Sequence, residues 1–193
     1  MGATISSKQK YMLYTGKGDN GTTKTFGCDQ RVSKSSNIAE ALGNLDELNS
    51  FLGMVKVSCK DKNCDLKDKS FVDIIEEMQS NIFTISAGLA GAEKKIAESK
   101  VTIVEGYIAE IETELPPISK FTIAGGTELS ALLDFSRTLA RRAERRVVAV
   151  NDDTGNVGPE TLKYLNRLSS ILFALARLSN LRSGIKESSP SYN

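Results

Sequence analysis

Arg137-Thr138-Leu139-Ala140-Arg141-Arg142-Ala143-Glu144-Arg145-Arg146 packs five arginines into ten residues. Around it Leu129, Leu132, Leu133, Ala140, Ala143 and Val147 recur at helical steps, which predicts a helix from about Thr127 to Val150. At about 100° per residue, Arg137, Arg141, Glu144 and Arg145 share roughly one third of the circumference, while Arg142 and Arg146 point elsewhere. Like charges at i,i+4 repel unless something anionic lies between them. Guanidinium forks fit phosphate or carboxylate bidentately and cannot be neutralised by a pKa shift. A solvated helix face is one reading of this run and an anion site is the other. The chain as a whole is balanced, with 25 Lys+Arg against 24 Asp+Glu, so the local excess needs a local cause.

The segments on either side also read as helices. Leu42, Leu45, Leu48, Phe51, Leu52 and Val55 follow Asn37-Ile38-Ala39-Glu40, a variant of the capping box. A charged connection from Cys59 to Lys69 leads to Phe71, Ile74, Ile75, Met78, Ile82, Ile85 and Leu89, with a stop near Gly88 and Gly91. Val101, Val104, Ile108, Ile111 and Leu115 form a heptad seam that Pro116-Pro117 ends. Phe121 to Gly126 reads as a short extended piece with a glycine break. After the arginine helix, Asp152 to Gly158 is a turn, and Pro159 opens a helix carrying Leu162, Leu165, Leu168, Ile171, Leu172, Leu175 and Leu178. Helices joined antiparallel in this order predict an all-α, five-helix up-down bundle. Its domain spans 13–183, between a flexible tail at 1–12 and another at 184–193.

Composition narrows the function. With 40% hydrophobic residues, no Trp and 6% aromatic residues, Leu, Ile and Ala must build the core, which suits a helical bundle. A net charge of +1 argues against a general nucleic-acid binder. No apolar run reaches membrane-spanning length and no signal-peptide core is evident. The expected compartment is the cytoplasm, or the mitochondrion in a eukaryotic host. Met1-Gly2-Ala3-Thr4-Ile5-Ser6 does fit a short myristoylation pattern, meaningful only in such a host. The three cysteines, Cys28, Cys59 and Cys64, lack disulfide-framework spacing. Cys59 and Cys64 make too sparse a pair for a metal site, and no metal site is expected. Histidine is absent, which removes imidazole bases, Ser-His and Cys-His nucleophiles and His-ligated metals. The chemistry must rest on carboxylates, cations, backbone amides and positioning.

Two further groups stand out. Tyr14-Thr15-Gly16-Lys17-Gly18-Asp19-Asn20-Gly21-Thr22-Thr23-Lys24 lies in a Gly-, Thr- and Lys-rich stretch over 14–36 that reads as an ordered loop. Such a loop can aim its N–H groups at an anion, or it can be plain surface; it is not a P-loop. On the last helix Asn166, Ser170 and Phe173 flank the apolar stripe, where interhelical hydrogen bonding is the plainer reading. Asp46, an acid on an otherwise apolar helix, wants a cation, and an arginine of the fourth helix is the obvious candidate.

The segments Tyr14–Phe26, Arg31–Lys34, Glu40–Leu52, Phe121–Thr127, Arg137–Val148 and Tyr164–Arg177 resemble, in order and spacing, the PduO-type ATP:cob(I)alamin adenosyltransferases. The arginine helix followed by Leu-Asn-Arg-Leu-Ser is the most specific part. The resemblance implies a homotrimer with sites between subunits, an N-terminal nucleotide-binding loop, and transfer of the 5′-deoxyadenosyl group of ATP to cob(I)alamin with release of triphosphate. By position it assigns Thr15, Gly16, Lys17, Gly18, Thr23, Lys24 and Lys34 to the triphosphate, and Arg141, Arg142, Glu144, Arg145 and Asn166 to the rest of the nucleotide. Arg141, Asn166 and Phe121 are the catalytic candidates, with Phe121 on the corrin side displacing the lower ligand of cobalt. Asp46 and Arg137 would pair across subunits. The implied ligands and partners are ATP, Mg²⁺ with the triphosphate, a reduced cobalamin, an electron-donor reductase and a B12-dependent mutase or dehydratase. The chain departs from the family at Gly16 and Asn20, where Lys is usual, and at Ser170, where Asp is usual. An ATP- or corrinoid-binding escort or sensor without turnover is the rival that these departures suggest.

Overall fold

The computed structural model describes residues 13–59, 65–66 and 68–192. The expected tail at 1–12 with its myristoylation pattern, and Cys64, lie outside them. Five helices carry the chain: α1 (Asn37–Cys59), α2 (Phe71–Leu89), α3 (Glu98–Glu114), α4 (Glu128–Thr154) and α5 (Pro159–Arg182). Their cross-contacts fix their directions. Gln79 reaches the Asn49 carbonyl and Lys56 reaches Glu76, so α1 and α2 run antiparallel. Asn37 with Asp153 and Arg142 with Glu47 make α1 antiparallel to α4. Glu144 with Asn166 and Thr127 with Ser179 do the same for α4 and α5. Arg167 with Glu105 and Arg182 with Glu114 set α3 parallel to α5. Successive helices therefore alternate in direction. The lateral order is α2, α1, α4, α5, α3, since α1 packs on α2, α4 on both α1 and α5, and α3 on α5.

The ends of these helices follow from their sequences. Ser70 and Asp73 form a capping box at α2, and Thr127 Oγ1 accepts the Ser130 N–H at α4. Gly155 adopts φ 64° and closes α4 in the left-handed conformation. Pro159 sits in the first turn of α5. At α1 the capping residue differs from the expected Asn37. Ser36 takes that place, its Oγ accepting the Ala39 N–H at 3.4 Å, while Asn37 Nδ2 donates to Asp153 Oδ2 at 2.7 Å. Leu45, Leu48 and Leu52 of α1 meet Leu129 and Leu133 of α4 and Leu165, Leu168, Leu172 and Leu175 of α5 in one core. Burying each such side chain contributes roughly 1.5–3 kcal/mol.

Two short ribbons modify the all-helical expectation. β1 (Thr22–Lys24) pairs antiparallel with β2 (Arg31–Ser33) inside the stretch read as a loop. β3 (Asp65–Leu66) pairs with β4 (Lys69–Ser70) between α1 and α2. The segment after Gly184 has no helix or strand, yet Ser188 accepts the Ile123 N–H at 2.8 Å and Glu187 meets the Arg177 guanidinium at 3.1 Å.

Candidate active site

The N-terminal loop is held by short local bonds and one arginine. Gly16 and Gly21 take φ values of 67° and 77°, a region open to glycine, and the Asp19 and Gly21 N–H groups close turns onto the Gly16 and Gly18 carbonyls. Arg31, on β2, donates from Nε to Thr22 Oγ1 at 2.6 Å and from one terminal nitrogen to the Lys17 and Thr22 carbonyls at 2.6 and 2.7 Å. Sequence reasoning gave Arg31 no role; a single cation in a short strand carries no local signal of its tie to a loop. Lys34 follows β2 and returns over the loop, so that a Cβ on Gly18 would lie 3.1 Å from its Nζ. Thr15, Gly16 and Lys17 are exposed, as are Lys24 and Lys34, and Lys24 reaches Asp29 at 3.0 Å. The loop thus carries its lysines and amides on the surface around a fixed backbone.

On α4 the arginines divide by partner. Arg142 meets Glu47 of α1, and Arg146 Nε lies 3.9 Å from Glu40. Arg137 Nε lies 3.6 Å from Asp134, one turn back, and its guanidinium stands 5.8 Å from the centre of the Phe173 ring. Asp46 is exposed and does not meet Arg137 within the chain. Arg141 and Arg145 are exposed, and no acidic side chain among the described residues pairs with either. Glu144 is tied to α5, accepting from Asn166 Nδ2 at 3.0 Å, while Asn166 Oδ1 accepts from Arg167 at 2.6 Å. Arg167 in turn donates to Glu105 of α3 at 2.8 Å. This chain of polar contacts sets Glu144 and Asn166 beside the two unpaired arginines.

A cleft of about 340 Å³ joins the loop before α4 to this face. Phe121 and Lys120 form one wall; Arg137 and Arg141 of α4, with Ser170 and Phe173 of α5, form the other. Phe121 is 79% exposed, so its ring is available to a ligand and is not a core side chain. Lys120, Arg137 and Arg141 give the cleft a cationic wall next to two aromatic rings. Such a site suits a large ligand with an apolar face and a neighbouring anion. Among the described residues no hydrogen bond or ion pair joins Thr15, Gly16, Lys17, Gly18, Thr23, Lys24 or Lys34 to Arg141, Arg145 or Phe121.

A family model described as cobalamin adenosyltransferase matches residues 13–179. The corrinoid adenosyltransferase of Bacillus subtilis is 37% identical over 180 residues, covering 90% of this chain and 89% of that protein. The corrinoid adenosyltransferase PduO of Salmonella typhimurium is 37% identical over 172 residues, and there the match spans 48% of the relative's length. A phenylalanine-to-alanine variant of a PduO-type ATP:corrinoid adenosyltransferase from Lactobacillus reuteri, complexed with cobalamin and ATP, superposes with a TM-score of 0.84 at 29% identity, covering 94% of this chain and 100% of that one. With the loop, the arginine helix and the Phe121 cleft all inside the matched span, this chain belongs to the cobalamin adenosyltransferase family.

Proposed function

We propose that this protein transfers the 5′-deoxyadenosyl group of ATP to cob(I)alamin, giving adenosylcobalamin and triphosphate. The observation that carries the reading is the cleft in which Phe121 faces Arg137 and Arg141. Co(I) supplies an electron pair to the 5′ carbon, the bond from that carbon to the triphosphate oxygen breaks, and triphosphate leaves with its pair while cobalt becomes Co(III) bonded to carbon. No proton need be moved, which agrees with a chain that has no histidine.

The protein's tasks are alignment, charge stabilisation and exclusion of water. Lys17, Lys24, Lys34 and the Gly16 and Gly18 amides would hold the triphosphate. Arg141, Arg142, Glu144, Arg145 and Asn166 would hold the rest of the nucleotide, with Glu144 oriented by Asn166. Among the described residues no group of three or more acidic or cysteine side chains gathers to hold a metal, so Mg²⁺ would be bound through the triphosphate oxygens. Phe121 would cover the lower face of the corrin and keep water and the lower ligand from cobalt, which favours reduction to Co(I).

Among the described residues no hydrogen bond or ion pair joins the loop set to Arg141 or Arg145, and the reading includes a homotrimer in which one subunit's loop faces the next subunit's α4. Asp46 of one subunit would pair with Arg137 of another. Exposed Val148, on the same side of α4 as Arg141, supports a covered face. A reductase that supplies Co(I), and a mutase or dehydratase that takes the product, complete the set of partners. No helix among the described residues is long and apolar enough to cross a membrane.

The test is anaerobic incubation with ATP, Mg²⁺ and chemically reduced cobalamin, followed by absorbance. Co–C bond formation with an equal amount of triphosphate is expected. Saturable ATP binding with neither product would overturn the transferase reading in favour of an escort or sensor.

A further inference from the structure

Phe121 lies in a segment between α3 and α4 that has no helix or strand, so its place over the cleft depends on how that segment is anchored. The Ile123 N–H is held by the Ser188 carbonyl at 2.8 Å, and a second anchor is built at Gly125 and Gly126. Asn180, near the end of α5 and 5% exposed, donates from Nδ2 to the Gly125 carbonyl at 2.9 Å and accepts the Thr127 N–H on Oδ1 at 3.1 Å. Its amide thus spans Gly126. Gly126 takes φ 124°, and a Cβ there would lie 2.4 Å from Asn180 Oδ1, so no side chain fits. Asp134 of α4, 8% exposed, accepts the Gly125 N–H on Oδ2 at 3.2 Å. Its other oxygen is the one that lies 3.6 Å from Arg137 Nε.

Helix capping does not account for this. The first turn of α4 is capped by Thr127 Oγ1, which accepts the Ser130 N–H at 3.0 Å. Three buried or nearly buried polar side chains, Asn180 of α5 with Asp134 and Ser130 of α4, therefore converge on the loop backbone itself, the Ser130 hydroxyl donating to the Gly125 carbonyl at 3.3 Å. A buried amide or carboxylate is tolerated only when its hydrogen bonds are made, so the loop end has one position it can occupy. Asp134 also joins the two walls of the cleft: one oxygen holds the Phe121 segment, and the other faces Arg137, whose guanidinium stands over Phe173.

We propose that Asn180 and Asp134 are positioning residues that set Phe121 over the corrin face. This rests on the reading of Phe121 given above. Asn180→Asp keeps the acceptor for Thr127 N–H and removes the closer of two side-chain donors to the Gly125 carbonyl, leaving the Ser130 hydroxyl at 3.3 Å; Asp134→Asn keeps a carbonyl oxygen for Gly125 N–H and removes the charge beside Arg137. Hydrogen exchange, read on the whole ligand-free protein, needs no turnover. Exchange over 121–127 should rise at least tenfold in Asn180→Asp, while the middle of α4 keeps parental protection. Equal exchange over 121–127 in parent and variant overturns the proposal whatever the activity. If Asn180→Asp does not fold, Gly126→Ala, which pushes on the same amide, takes its place in each measurement.

In turnover, Asn180→Asp should lower kcat at least fivefold with Co(II) reduced on the protein, and leave the ATP dissociation constant within twofold. The four-coordinate Co(II) signal of the ATP complex should fall in parallel. The double variant with Phe121→Ala should be no slower than Phe121→Ala alone, within twofold. Multiplying defects would show that Asn180 does not act through Phe121. A parent that forms no adenosylcobalamin overturns the functional reading and leaves the exchange result to decide whether Asn180 anchors the loop.

Discussion

At the scale of residues, the arginines of α4 separate into those with acidic partners inside the chain and those without. Arg142 and Glu47 are 43% and 52% exposed, and such surface pairs contribute about 0–1 kcal/mol. Among the described residues Arg141 and Arg145 have no acidic side-chain partner to lose, so their removal should spare the fold. Each would contribute about 1.5–3 kcal/mol to a bound nucleotide if its charge-assisted bonds form. Arg141→Ala and Arg145→Ala should therefore weaken ATP roughly tenfold or more by calorimetry, with melting temperatures close to the parent's. Unchanged affinity in both would remove them from the site. Ser170 offers a second check. It lines the cleft beside Arg137 and Arg141. Ser170→Asp would place a carboxylate near two guanidinium groups, and turnover should equal or exceed the parent's. Loss of turnover would mean that this cleft is built around the serine. The arginine run was legible in the sequence because its charge density is local. Its division was legible in part: helical phase already set Arg142 and Arg146 apart, but their partners Glu47 and Glu40 become neighbours only through packing. Asn180 was missed for the same reason: it lies among the buried positions of α5, and its partner is a glycine peptide more than fifty residues away.

At the scale of elements, all five helices were legible, because each keeps a 3.6-residue apolar period over four turns or more. The ribbons were not. β1 and β2 are three residues each, with Thr, Lys, Arg and Ser in place of an alternating apolar face. The tie between α2 and α3 was equally hidden, since it is ionic. Glu77 of α2 accepts from Lys69 and Lys100 at 3.0 Å each and from Tyr107 at 3.2 Å. Partial burial pushes the Glu77 carboxyl up, and the hydrogen bonds from Lys100 and Lys69 outweigh it, leaving the pKa below its ordinary value. A carboxyl held low in the folded state stabilises it at pH above the unfolded value, and that stability is lost as pH falls through the folded value. Glu77→Gln should therefore destabilise by about 1.5–3 kcal/mol at pH 7, as expected for hydrogen bonds to a charged group. The gap from the parent should close as pH falls through about 4.3 and below. Thermal melts across that range would read it, and a gap that persists at pH 3 would show that the loss is one of packing.

At the scale of the whole molecule, the site proposed here is incomplete in one chain. Among the described residues, no hydrogen bond or ion pair joins the loop that carries Lys17, Lys24 and Lys34 to Arg141 or Arg145. Asp46, an exposed carboxylate on α1, forms no ion pair with an arginine among the described residues, while Arg137 leans on Asp134 at a marginal 3.6 Å. The Arg137 side chain is 31% exposed, which leaves its guanidinium open to a second carboxylate. A neighbouring subunit's Asp46 would complete it and bring the two halves of the nucleotide site together. If that pair is desolvated in the assembly, removing one partner costs about 3–5 kcal/mol. Asp46→Ala should then shift light scattering toward smaller particles and make the melting temperature depend on protein concentration. Because the carboxylate is exposed in the single chain, its loss should not unfold the subunit, and circular dichroism should keep the parental helix content. ATP affinity should fall with dissociation and recover at high protein concentration, where subunits reassociate. A variant that stays as large and as stable as the parent, and binds ATP as well, would place the subunit contact elsewhere and leave Arg137 as a residue of the cleft alone.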